Sequence, residues 1–235
     1  LFYERFKNNE SITLFSPHEV PQLTEAFGLP EFEEIYKALE QDPNIRYKKS
    51  IRAATLQALF VKERTETGRV YVMNIDHCNE HSPWDERVVM TNLCVEVLHP
   101  TKPIQHIDDP EGEVGICVLS AINLLEIKDD QDLQDTCDII VRMLDELIDY
   151  QEYFIKAAEN FTKKRRSLGV GITNLAALLA KNNLKYTDPE APNFVDSWME
   201  RIQYYLIDAS VELAKEKGVC EKFHLTKYSR GILPL

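Results

Sequence analysis

The chain has 235 residues, 44% of them hydrophobic and 28% charged, enough to bury a sizeable core in one or two domains. Its 39 acidic and 27 basic residues leave a net charge of −12, which opposes nonspecific binding to nucleic acid or to anionic membranes, so neither is expected as a partner. No apolar run approaches the roughly 18 residues of a membrane span, and residues 1–10 lack a signal-peptide pattern, so a cytoplasmic location is expected.

In chain order, residues 30–41 read as a short helix with Pro30 near its first turn, and residues 47–67 as a longer one that Gly68 stops as a C-terminal cap. Residues 69–74 alternate toward β structure through the strand formers Val70, Tyr71 and Val72. Residues 91–98 and 113–125 are rich in Val, Ile, Leu and Cys and bounded by Pro, Asp and Gly. Both are expected to be buried strands of a parallel or barrel sheet. Cys137, Ile140, Val141, Leu144, Leu147 and Ile148 follow at helical spacing. Phe194, Trp198, Ile202, Tyr205, Leu206, Ala209 and Leu213 repeat that pattern up to Gly218. Strands followed by long amphipathic helices predict an α/β architecture.

The five cysteines, Cys78, Cys94, Cys117, Cys137 and Cys220, are odd in number and widely spaced, so reduced thiols are expected. Around one of them, in Asn92-Leu93-Cys94-Val95-Glu96, an amide, a thiol and a carboxylate recur at every second position. On a strand they would share one face, about 6 to 7 Å apart, and line one pocket. The bland alternative is a cysteine serving as a small buried hydrophobe. His77, Cys78 and His81 have the short spacing of a zinc site but no evident fourth ligand, and Asp76, His77 and Asn79 are expected to fix a polar turn. Lys163, Lys164, Arg165 and Arg166 form a basic run that a phosphate would suit, although a solvated helix end or buried ion pairs explain it more simply.

Context sharpens the cysteine motif. The pentapeptide, Pro100-Thr101-Lys102-Pro103, and Gly112-Glu113-Val114-Gly115-Ile116-Cys117 with Leu119-Ser120-Ala121 resemble the large, catalytic subunit of class I ribonucleotide reductases. So do Thr67-Gly68-Arg69, Asn74-Ile75-Asp76-His77-Cys78-Asn79, Arg165-Arg166-Ser167-Leu168-Gly169 and Gln203-Tyr204-Tyr205-Leu206, all in family order.

The resemblance implies a partial ten-stranded α/β barrel, with Cys94 on a loop inserted at the barrel centre rather than on a regular strand. Residues 1–45 would be a helical lead-in and residues 46–235 barrel strands and helices, with the family's N-terminal and C-terminal parts absent. It assigns Cys94 the thiyl radical that abstracts the ribose 3′ hydrogen, Glu96 the base for the 3′ hydroxyl, and Asn92 an amide that holds substrate. Leu93 and Val95 complete the substrate-binding pentapeptide. Cys117 matches one of two thiols that protonate the leaving 2′ hydroxyl and supply two electrons, its partner lying before Leu1; Cys78, Cys137 and Cys220 match no catalytic position.

The resemblance further implies a ribonucleoside diphosphate substrate and no cofactor bound by this chain. A separate small subunit with a metal and tyrosyl radical, ATP or deoxynucleotide effectors, and thioredoxin or glutaredoxin as reductant complete the implied system. Because the chain starts at Leu1 and stops at Leu235, it reads as a piece of something longer. One alternative is therefore a non-autonomous assembly module of a split reductase, inactive without its complementary segment. Another is a cobalamin-dependent radical-thiol reductase, which shares the Asn-x-Cys-x-Glu logic but fits the flanking segments less well.

Overall fold

The structure, a computed structural model, describes residues 1–233. It contains two compact units, residues 1–100 and residues 101–233.

In the first unit, α1 (Phe2–Lys7) leads into β1 (Ser11–Phe15), α2 (Pro21–Glu25), α3 (Phe32–Gln41), β2 (Lys48–Arg52), α4 (Ala53–Thr67) and α5 (Ile75–His81). Strands β1 and β2 pair antiparallel, Ser11 opposite Arg52 and Phe15 opposite Lys48. The helix α3 is pinned to that sheet by buried Tyr36, whose hydroxyl donates to the Thr13 carbonyl at 2.6 Å and accepts from the Thr13 N–H at 2.7 Å. Arg5 of α1 clamps Glu40 of α3 with two bonds of 2.6 and 2.5 Å.

Three expectations for this unit need correction. The long helix begins at Ala53 rather than residue 47, because residues 48–52 give their backbone groups to β1; Gly68 does cap it, in the left-handed conformation at φ 66°. Residues 69–74 form no regular strand: Val70 sits at φ 64°, and its carbonyl accepts from Arg64 of α4 at 2.9 Å. Asp76, His77 and Asn79 lie on α5, not on a turn. There the Asn79 amide bonds the Ile75 carbonyl and both backbone groups of Val88.

The second unit is a βαβ arrangement. Strand β3 (Leu119–Asn123) is followed by α6 (Asp130–Tyr150), α7 (Lys156–Arg165), β4 (Gly169–Thr173), α8 (Leu175–Lys181) and α9 (Ala191–Lys217), and then by short 3-10 turns. The strands β3 and β4 pair in parallel, Leu119 opposite Gly169 and Asn123 opposite Thr173. Asp129 caps α6 by accepting from the Asp132 N–H at 2.9 Å, and Asp130 and Asp132 complement the positive end of the helix dipole. The expected apolar stripes on α6 and α9 meet: Leu133, Cys137, Ile140, Leu144 and Ile148 bury with Ile202 against Val118, Ile122 and Leu124. Truncating one of these, Leu144→Ala, is expected to lower stability by about 2–5 kcal/mol through lost transfer energy and a residual cavity. A lower urea midpoint with an unchanged slope would record it.

Only residues 119–123 of the expected strand 113–125 are regular, and one face of β3 is open, with Leu119, Ala121 and Asn123 exposed rather than buried. The described residues hold two separate two-stranded sheets, so no barrel closes among them. No described helix is long and apolar enough to cross a membrane.

Candidate functional site

The residues expected as a strand, 91–98, fold instead into a turn. It is closed at its base by the Asn92 N–H donating to the Val97 carbonyl at 3.4 Å and by the Val97 N–H donating to the Asn92 side-chain oxygen at 3.0 Å. The Thr91 hydroxyl adds a bond of 2.9 Å to the Val97 carbonyl and one of 3.1 Å to the same Asn92 oxygen. An asparagine side chain that imitates a backbone carbonyl is a usual turn device, and here it satisfies groups that a neighbouring strand would otherwise take.

Inside the turn the Val95 N–H donates to the Asn92 carbonyl at 3.2 Å, and Val95 itself adopts φ 66°. That conformation is strained for a β-branched residue, by about 1–3 kcal/mol, and persists because the hydrogen bonds on either side over-determine it.

The turn brings two of the three chemical side chains into contact. The Asn92 amide donates to a Glu96 carboxylate oxygen at 2.6 Å. Cys94 lies between them in sequence, with its side chain exposed, as are Glu96 and the 84%-accessible Leu93; Val95 is half-buried. The shared strand face is thus replaced by a hydrogen-bonded carboxylate and an open thiol on one short loop. Thr91 and the backbone of Val95 were not singled out as parts of this device. The Thr-Asn pair of turn-forming residues was the available signal.

In the second unit Cys117 is exposed, immediately before buried Val118 and the start of β3. The segment leading to it is held at Glu113, whose backbone exchanges two hydrogen bonds with Lys102 at 2.9 and 3.3 Å. The Glu113 carboxylate meets the fully buried Arg165 guanidinium at 2.7 Å and Lys102 at 3.3 Å. Burial pushes the Glu113 carboxyl up; the bonds and charge of Arg165 and then Lys102 outweigh it and hold the group below the usual range.

The whole chain, residues 1–235, matches the family model described as the ribonucleotide reductase barrel domain. The chain belongs to the ribonucleotide reductase barrel-domain family. It is 48% identical over 240 residues to the ribonucleoside-diphosphate reductase subunit alpha of Haemophilus influenzae, all of this chain and 32% of that protein. It is 45% identical over 240 residues to the ribonucleoside-diphosphate reductase 1 subunit alpha of Escherichia coli, and 43% over 243 residues to the subunit alpha of Enterobacteria phage T4. Each match covers all of this chain and 31% of the relative, so the chain spans about a third of these relatives' length.

Within this barrel-domain chain the remaining sequence signals resolve structurally. The basic run is the end of α7 and holds ion pairs: Arg165 meets Glu113, and Arg166 meets Asp145 at 2.5 Å and Asp149 at 2.8 Å. Burial raises the Asp145 carboxyl, but bonds from Arg166 and Lys217 bring it below its ordinary value. Among the described residues no three His, Cys, Asp or Glu side chains gather as a metal-ligand set, those around His77 and Cys78 included. Cys137 is buried in the α6 core, which pushes its thiol up to about 11 and makes it a poor nucleophile. No disulfide joins the cysteines of the described residues.

Proposed function

We propose that this chain is the central part of a large subunit that reduces ribonucleoside diphosphates to deoxyribonucleotides, with Cys94 as the radical thiol. The observation that carries the reading is the turn at residues 92–97, which keeps the Cys94 thiol open while its two chemical neighbours touch through a bond of 2.6 Å. The names of the relatives, ribonucleoside-diphosphate reductase subunits alpha, supply the substrate class. In the assembled subunit the turn is the loop at the centre of a ten-stranded barrel.

A thiyl radical at Cys94 takes the hydrogen atom from C3′ of the ribose, leaving S–H and a carbon radical. Glu96 takes the proton of the 3′ hydroxyl, and Asn92, already its hydrogen-bond partner, orients both carboxylate and substrate. The 2′ hydroxyl leaves as water with a proton from a thiol pair that includes Cys117. That pair then gives a hydrogen atom to C2′, closes to a disulfide, and passes its remaining electron, with the proton held on Glu96, to the 3′ ketone, which becomes a C3′ radical again. Hydrogen returned from Cys94 to C3′ restores the thiyl radical. The first radical arises in a separate metal- and tyrosyl-bearing small subunit, and a dithiol protein such as thioredoxin or glutaredoxin reopens the disulfide. ATP or deoxynucleotides act as effectors at parts of the subunit outside this chain.

The exposed face of β3 and the paired but otherwise unextended strands β3 and β4 favour a second, compatible statement: the isolated chain is a non-autonomous module, inactive without its complementary segments.

One turnover of the assembled enzyme on a ribonucleoside diphosphate tests the reading. Peptide mapping is expected to find Cys117 in a disulfide with a cysteine outside this chain. A bond from Cys117 to Cys78, Cys94, Cys137 or Cys220, or no oxidation, would overturn it.

A further inference from the structure

The segment before Cys117 is clamped more firmly than a connecting loop needs to be. Gly112 lies so close to Ile104 that an added Cβ would stand 2.5 Å from its side chain. Glu113 is bonded to Lys102 through both backbone groups, and the Val114 N–H donates to the Ala157 carbonyl at 3.1 Å. Beyond Cys117, the Val118 carbonyl accepts from the Gly169 N–H at 2.9 Å.

The two fixed points on either side of Cys117 are thus held by one short stretch of chain, Arg165 at one end and Gly169 at the other. Between them Arg166 turns the chain at φ 49° and pairs instead with Asp145 and Asp149 of α6. Consecutive arginines therefore tie the end of α7 both to the Cys117 segment and to the core helix. The Arg165 guanidinium is 0% exposed and the Glu113 side chain 5%, and Arg165 also stacks 5.0 Å from the Phe161 ring centre. Two Arg165 nitrogens, Nε at 3.2 Å and Nη2 at 2.7 Å, converge on one Glu113 oxygen, and a buried pair held in this way is fixed in direction as well as distance.

We infer that Glu113 and Arg165 are positioning residues for the Cys117 thiol, setting where it stands for its redox step; this rests on the function proposed above. Neither touches the reacting atoms.

The test uses the assembled enzyme with wild type, Glu113→Gln, and the double variant Glu113→Leu with Arg165→Met. Single-turnover oxidation of Cys117, kcat, KM and the alkylation rate of Cys94 are read for each. The wild type first decides the underlying reading: if its Cys117 is not oxidised, that reading falls and takes this inference with it. If it is oxidised, Glu113→Gln is expected to slow Cys117 oxidation and kcat at least tenfold, with KM and Cys94 alkylation within twofold of wild type. Oxidation within twofold of wild type, or an equal change at Cys94, overturns the positioning role and leaves the reading standing. Where the single variant does not fold, the double variant decides, because removing both charges relieves the unpaired one. A folded double variant that stays at least tenfold slow supports the inference. One restored to within tenfold, or failure of both to fold, makes the pair structural and overturns it.

Discussion

Cys94→Ser is expected to abolish nucleotide reduction by the assembled enzyme while folding and assembly stay intact. The hydrogen bonds that close the turn run through Thr91, the backbone and side chain of Asn92, Val95 and Val97, and none of them uses the Cys94 side chain. Exchanging sulfur for oxygen at this exposed position therefore leaves the turn, the strained Val95 and the Asn92 contact to Glu96 in place. What changes is the bond to hydrogen. An O–H bond is too strong for a radical to be handed to it and passed on to a ribose C–H, so the relay stops before chemistry begins. Turnover is measured with dithiothreitol supplying electrons, which removes the protein reductant from the question. Any deoxynucleotide formed above background by a folded Ser variant would reject Cys94 as the radical residue.

Glu96→Gln is expected to lower kcat by about 10²- to 10⁴-fold, the usual worth of a positioned general base. The amide is matched in shape and still offers an oxygen to the Asn92 side chain, so the bond of 2.6 Å that joins the two ends of the motif has an acceptor in the variant. KM is expected to stay within a few-fold of wild type, which would locate the loss in the proton transfer rather than in binding. A variant with near-normal kcat would exclude Glu96 as the base and reduce it to a member of the turn. The two substitutions separate cleanly, because the first removes the hydrogen-atom carrier and the second the proton acceptor.

The parts of the molecule that depend on local pattern were legible in the sequence. The helical spacing of Leu144, Ile148 and Ile202 predicted which faces of α6 and α9 are buried, since a period of about 3.6 residues puts an apolar stripe on one side whatever it meets. Gly68 predicted the end of α4, because a left-handed cap suits a residue without Cβ. The Asn92, Cys94 and Glu96 motif marked the candidate site by residue chemistry and family order alone. For the basic run the sequence left a solvated helix end or buried ion pairs open; the structure shows ion pairs, buried at Arg165 and partly exposed at Arg166.

Tertiary structure decided most of the rest, because backbone hydrogen-bond partners often come from distant residues, which a local window does not contain. Residues 48–52 would suit a helix, but β1, more than 30 residues earlier, claims their N–H and C=O groups. Residues 91–98 have the composition of a strand, yet Asn92 supplies through its side chain the acceptor that a partner strand would have supplied, and the segment closes on itself. Residues 113–118 are extended, but their partners are Lys102, Ala157 and Gly169 rather than one continuous strand, so only residues 119–123 become regular. Sequence alone determined which residues are candidates for chemistry and which helix faces are apolar. Which distant backbone groups pair, and hence that Cys117 stands at the mouth of a strand, was settled by contacts across the fold, whereas the turn that carries Cys94 closes through its own residues.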